Sequence, residues 1–339
     1  MRDFELVRSN REVSADITVV SPDGASHRVT RVHDGCETEV MKLTAGDWTA
    51  HNRGKNPAII HARTSYRDES FSSKGYYRLG TVAPDKSLEW SWSRTWSSSS
   101  SAFLEVVVDS SLVMFPDFVA LNRKRASDER LGVDELLFKD YCGRLGLSCS
   151  RIDESHKHGE KTPDYLLDVG GLEIPTEINA FEPNSDDKES ERLLGEGGYG
   201  NATGRTVGHR LALLLERARK QLRAWNDRHA AGPALLVVAD FHGLGVADPV
   251  DIAAVLEGHI TVQMEVPSDR HTSPYAVGTT REPSRESPHC RNESISAIGV
   301  LNLQRDGATS LTVFHNPHAR YPLDNCVLTD TGIKQYRLH

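Results

Sequence analysis

The chain has 339 residues, with 40 Lys and Arg against 48 Asp and Glu and a net charge of −8. That length allows two domains and a sizeable core. The acidic balance weighs against a chain that coats nucleic acid non-specifically, yet leaves room for a local basic groove. Five scattered cysteines, none in a C-x-x-C pair, predict free thiols in a reducing cytoplasm. No apolar leader and no apolar run of about 18 residues is present, so neither a signal peptide nor a membrane span is expected.

Residues 1–118 read as a β-rich domain. Candidate strands are Ala15–Val20, Arg28–Val32, Ala58–Ala62, Tyr76–Val82 and Phe103–Val108, separated by turn signals such as Pro22-Asp23-Gly24 and Asn52-Arg53-Gly54. The run from Leu88 to Trp96 sets Trp90, Trp92 and Trp96 on one face of an extended segment. Either the indoles pack inside a small sandwich, or they form an exposed platform for a base or a sugar. Ser97–Ser101 reads as a loop. No motif assigns chemistry to this half, which reads as a recognition or regulatory module.

A join falls near Phe115–Ser127, where Pro116 breaks structure and Arg123-Lys124-Arg125 forms a solvated basic hinge. A second domain, 127–339, opens with a helix signal at Ser127-Asp128-Glu129, a cap followed by early acids. Val133, Leu136, Leu137 and Tyr141 give that helix an apolar stripe, and Gly143 or Gly146 ends it. Leu147–Ile152 predicts a short strand, and Asp153–Lys161 a polar loop carrying His156 and His158.

From Thr162 to Phe181 the chain reads T-P-D-Y-L-L-D-V-G-G-L-E-I-P-T-E-I-N-A-F. Gly170-Gly171 joins two apolar runs, a hairpin signal. On the second run, alternation puts Glu177 and Asn179 on the face opposite Ile174, Thr176 and Ile178. Asp164 lies at the start of the partner strand, where an antiparallel pairing brings it toward Glu177. Paired carboxylates with a vacant side are a candidate site for a hard divalent cation such as Mg²⁺.

After Phe181 a polar, glycine-rich stretch to Arg205 predicts a mobile flap. A helix follows over about 206–228, with Val207, Leu211, Leu214, Leu215, Ala218, Leu222 and Trp225 as its stripe. Arg210, Arg217, Gln221 and Arg228 line one flank, with Lys220 nearby, as a candidate nucleic-acid surface. From Arg205 to Ala231 there are seven Lys/Arg against two Asp/Glu, whereas Arg151 to Gly204 has five against thirteen. Cations beside an acidic centre are the layout that phosphodiester cleavage needs. Ala234–Asp240 predicts a buried strand, which completes the order αβββαβ. Beyond it, Pro249–His259 predicts a helix, Thr261–Val266 a strand and Ser268–Asn292 a polar loop. Ile295–Leu303 and Ser310–His315 predict a hairpin. His315 and His318 find no third ligand and read as structural.

Pro163-Asp164 followed by Glu177-Ile178-Asn179, inside this αβββαβ order over about Ser127–Phe241, resembles the PD-(D/E)xK phosphodiesterase superfamily, which includes restriction endonucleases. Asn179 stands where the pattern has Lys. The resemblance implies an α/β (α+β) protein with a restriction-endonuclease-like core behind the β-rich domain. It implies a cytoplasmic enzyme hydrolysing phosphodiester bonds of nucleic acid, DNA ahead of RNA, as in restriction or phage defence. It implies Mg²⁺ or Mn²⁺ bound by Asp164, Glu177, the Ile178 carbonyl and Glu135, an acid of the first helix. Asp164, Glu177 and Asn179 would be catalytic, Lys220 would replace the missing lysine, and Gln221 would face the site. A homodimer is compatible with this class. The alternatives are a catalytically impaired nuclease-fold protein that binds nucleic acid or a protein partner without cutting, and a structural subunit whose acids cap strands.

Overall fold

A computed structural model describes residues 4–6, 11–67, 72–93, 100–114, 132–152, 162–181, 209–240, 249–257, 259–265, 275–282, 292–303 and 307–338. The architecture is mixed α+β and dominated by strands. The chain divides into two compact units. One comprises Arg8–Phe118 with Gln304–Ser310; the other comprises Met1–Val7, Val119–Leu303 and Leu311–His339.

The chain opens with β1 (Phe4–Leu6), which belongs to the second unit. The first unit follows with β2 (Glu12–Val20), β3 (Ser26–His33), β4 (Glu37–Lys42), β5 (Gly46–Asn52), β6 (Ala58–Arg67), β7 (Ser72–Val82), β8 (Lys86–Trp92), β9 (Ser100–Val108) and β10 (Val113–Met114). Two four-stranded sheets result, in the orders β3-β2-β5-β8 and β4-β9-β6-β7. Alternate residues of β2, such as Ile17 and Val19, face a shared core with Trp48, Ile60 and Leu104. Trp90 and Trp92 also pack on that core, and the Trp48 and Trp90 rings stack at 6.2 Å. These two indoles therefore line an interior and not an exposed platform; Trp96 lies outside the described residues. The turn signal at Asn52-Arg53-Gly54 works through Asn52, whose side chain donates to the Asn56 and Val82 carbonyls and accepts the Gly54 N–H.

The second unit continues with α1 (Val133–Arg144), β11 (Ser148–Arg151), β12 (Tyr165–Val169), β13 (Leu172–Ala180), α2 (His209–Asn226) and β14 (Leu235–Asp240). After them come α3 (Pro249–Glu257), β15 (His259–Glu265), β16 (Tyr275–Glu282), β17 (Ala297–Leu303), β18 (Ala308–His315), α4 (Asn325–Thr329) and β19 (Lys334–Leu338). Its main sheet runs β1-β19-β18-β17-β14-β13-β12-β11. β11, β12 and β13 form an antiparallel meander, and β14 lies parallel to both β13 and β17. The β12–β13 turn holds Gly170 and Gly171 at φ +62° and +86°, the pair of left-handed positions that a two-residue hairpin demands. Every residue of β14 is buried, as expected of a parallel strand covered on both faces.

Register fixes which face each residue takes. Phe138 of α1 meets Tyr165 of β12 edge-on, so α1 covers the Tyr165 face. Tyr165 pairs with Thr176, and Thr176 with Leu235, which share that face. The other face carries Leu236 and Val238, which join Leu211, Leu215, Ala218 and Leu222 of α2 in one core.

The helix expected from Ser127 is described from Val133, capped at Gly132; Ser127–Glu129, the predicted flap and His156 and His158 lie outside the described residues. Ser268–Asn292 is not wholly a loop: β16 lies within it and pairs antiparallel with β15. The proline flanks masked the Tyr275–Glu282 strand. His315 is buried, with Nε2 bonded to Gln335 Oε1 at 2.9 Å, and burial holds its pKa down, in keeping with the structural reading.

Candidate functional site

The candidate site sits where the β12–β13 ladder ends. Its last described pair is Tyr165 with Thr176, and one more step along the same register sets Asp164 across from Glu177. Glu177 and Asn179 share the α2 face, because they pair with Leu236 and Val238. The Ile178 N–H points toward β12 but lies beyond the last backbone pair, and the Asp164 carboxylate takes it, Oδ2 accepting at 2.9 Å. Asp164 thus extends the ladder by one bond and is anchored by it. Glu177 is 5% exposed, while Asp164 is partly exposed. Any opening of the pair to solvent is on the Asp164 side. The Asn179 Nδ2 is buried and has no hydrogen-bond partner among the described residues.

Glu135 approaches from α1, on the other face. Its Oε2 accepts the Gly132 N–H at 2.8 Å, closing the helix N-terminus, and its Oε1 lies 3.6 Å from Arg151 Nε. Burial raises its pKa most; the Gly132 bond and Arg151 work against that, and the Asp164 charge adds to it. Glu135 therefore senses Asp164 but already serves a cap and an ion pair. The same surroundings hold the Tyr165 hydroxyl protonated: burial first, then the Glu135 charge.

α2 presents successive side chains to different places. Gln221 Nε2 donates to the Thr162 carbonyl at 3.3 Å, two residues before Asp164, so it braces the Pro163-Asp164 segment. Lys220 points elsewhere: its Nζ lies 3.1 Å from Glu216, and it lines a cavity with Arg219, Arg223 and Arg320 that none of Asp164, Glu177 and Asn179 borders. Arg210 lies over the Phe181 ring at 5.4 Å, Arg217 is exposed, and the Arg228 Nε, just past the end of α2, donates to the Ala224 carbonyl in its last turn. The expected flank is thus split between a ring contact, a free face and a helix-end bond.

Among the described residues, no group of three or more His, Cys, Asp or Glu side chains is placed to hold a metal ion. The donor set at the ladder end is hard oxygen, and Mg²⁺ is commonly held by one or two carboxylates with waters completing its shell. Asp164 and Glu177 fit that chemistry. Sequence reasoning missed Arg151, Arg223 and Arg320; Arg320 lies 100 positions from Lys220, so no local pattern joins them. Comparison with protein-family models, curated proteins and solved structures finds no match to this chain.

Proposed function

We propose that the second unit is a divalent-cation-dependent nuclease that hydrolyses phosphodiester bonds of nucleic acid, DNA before RNA. The observation that carries this reading is the Asp164 carboxylate held on the Ile178 N–H, one residue from Glu177, at the open end of a β-hairpin, in a unit whose described elements run α, β, β, β, α, β from Val133 to Asp240. Asp164 and Glu177 would hold Mg²⁺ or Mn²⁺, which supplies an acidified water and neutralises charge growing on the phosphate. Asp164 is held in place through the Ile178 N–H, and Gln221 steadies the segment before it. Asn179 can orient a water or a phosphate oxygen through its amide, yet carries no charge.

The test is incubation of the protein with plasmid and with RNA, in Mg²⁺ or Mn²⁺ and then in EDTA. Cleavage that EDTA stops and Asp164→Asn abolishes supports the reading; cleavage unchanged in Asp164→Asn overturns it. A second reading has its own support. With Asn179 at the motif lysine and Lys220 engaged by Glu216, no cation is assigned to the reacting phosphate. On that reading the unit binds nucleic acid or a protein partner without cutting, and the same assay returns binding without products.

A further inference from the structure

The cavity that Lys220 borders has a volume of about 340 Å³ and belongs wholly to the second unit. Four cations line it: Arg219, Lys220 and Arg223 from the last two turns of α2, and Arg320 from the segment after β18. Asp227 and Glu293 are the two acids of the lining, so its cations exceed its acids by two. The i,i+4 contacts of Lys220 with Glu216 at 3.1 Å and of Arg223 with Asp227 at 3.8 Å are solvent-exposed and weak, and leave both cations able to take an anion. Arg223 in the last turn of a helix offsets the helix dipole, which accounts for one cation but not for four. Like charges gathered around one concavity repel each other, and an anion relieves that cost.

Two further groups narrow the anion. Asn226 is 9% exposed and borders the cavity; its Nδ2 donates to the Gly232 carbonyl, but its Oδ1 has no hydrogen-bond partner among the described residues. A buried acceptor left in this way calls for a donor from the occupant. Tyr321 also lines the cavity, with the Arg320 guanidinium over its ring at 5.5 Å, a planar cation–ring pair suited to stacking on a base. Inorganic phosphate can donate a P–OH hydrogen to an amide oxygen but offers nothing to a ring. A nucleotide offers all three features: phosphate for the cations, a sugar hydroxyl or base amine for Asn226, and a base for the ring.

The far wall is built before any ligand arrives. The Arg320 N–H donates to the Glu293 carbonyl at 2.8 Å, Ser296 Oγ donates to the Tyr321 carbonyl at 2.5 Å, and the Asn316 amide bridges the Asn292 and Ile295 carbonyls. Such bonds tie the backbone of residues 316–321 to the 292–296 segment and lower the ordering cost of binding.

We propose that this cavity is a nucleotide-binding site, which takes a phosphorylated nucleoside either free or as the 5′-phosphorylated end of an oligonucleotide. The site does not rest on the hydrolytic reading, since neither Asp164 nor Glu177 borders it.

Isothermal titration of the full chain in EDTA, where no cation can be held at the carboxylates, tests this separately from cleavage. The probes are AMP, inorganic phosphate, and one decamer with and without its 5′-phosphate. The expected result is saturable binding of AMP, of the phosphorylated decamer, or of both, which identifies the source, with phosphate alone weaker. Arg223→Ala/Arg320→Ala should weaken the bound probe about tenfold or more, while Lys42→Ala/Lys86→Ala, an equal charge change at two exposed residues of the first unit, should not. Tyr321→Leu should weaken AMP more than phosphate. No saturable binding of AMP or of the phosphorylated decamer, or binding indifferent to the double arginine substitution in a variant with an unchanged melting curve, overturns the proposal.

Discussion

The Asp164 carboxylate accepts the Ile178 N–H at 2.9 Å, so a side chain completes a ladder that the backbone leaves one bond short. The same residue is therefore part of the sheet and part of the candidate site, and substitutions can separate the two duties.

Asp164→Ala leaves the Ile178 N–H without its acceptor and should cost about 1–2 kcal/mol of stability. Asp164→Asn keeps an acceptor oxygen and should retain most of that stability, yet lose cleavage. Urea unfolding beside a cleavage assay checks both, and equal stability of the two variants would remove the ladder role.

Glu135 gives the unit a pH dependence of known sign. Burial, reinforced by the Asp164 charge, raises its folded pKa above the unfolded value. The folded protein then binds the extra proton, so this contribution to stability is full below the ordinary glutamate pKa of about 4 and fades as pH rises through the folded value. Glu135→Gln keeps an acceptor for the Gly132 N–H and should flatten that fall. Urea midpoints measured across the acid to neutral range give the result, and an unchanged slope contradicts the assignment.

Cys142 of α1 and Cys149 of β11 share a thiol hydrogen bond, which lowers the Cys149 pKa, with Lys139 adding to the effect. The same pairing, with burial, pushes Cys142 up. Alkylation followed by mass spectrometry should show Cys149 reacting ahead of Cys142, and Cys142→Ala should shift the Cys149 profile to higher pH. No shift would mean the pairing does not tune the thiol.

Gly46 enters β5 at φ +133°, and a Cβ there would lie 2.6 Å from the Pro22 side chain. Gly46→Ala should therefore destabilise the first unit by about 1–3 kcal/mol, read as a lower urea midpoint. A neutral outcome would require Pro22 to move freely.

The hairpin was legible because Gly-Gly and period-two alternation act over a few residues, and the α2 stripe because Leu211, Leu215, Ala218 and Leu222 recur at helical spacing. The inward turn of Trp90 and Trp92 followed from the same alternation, but only the partner Trp48 settles which side is the core. β4 and β5 were not legible: β4 is a polar strand at a sheet edge, and β5 mixes Asp47 and His51 with Trp48 and Ala50. At the site, sequence brought Asp164 and Glu177 to one hairpin end but not the bond from Ile178, which depends on where the ladder stops. Lys220 and Glu216 are an i,i+4 pair that helical spacing does give, but spacing alone could not send Gln221 to Thr162 or set Lys220 in one cavity with Arg320; that depends on which walls meet α2.

The proposed chemistry requires Asp164 and Glu177 to grip one cation together. Crystals soaked in Mn²⁺ test it through anomalous density. The account predicts one strong peak within coordination distance, about 2.2 Å, of a carboxylate oxygen from each residue, lost in Asp164→Asn. A peak elsewhere in the unit, or none at this pair under saturating Mn²⁺, would contradict it.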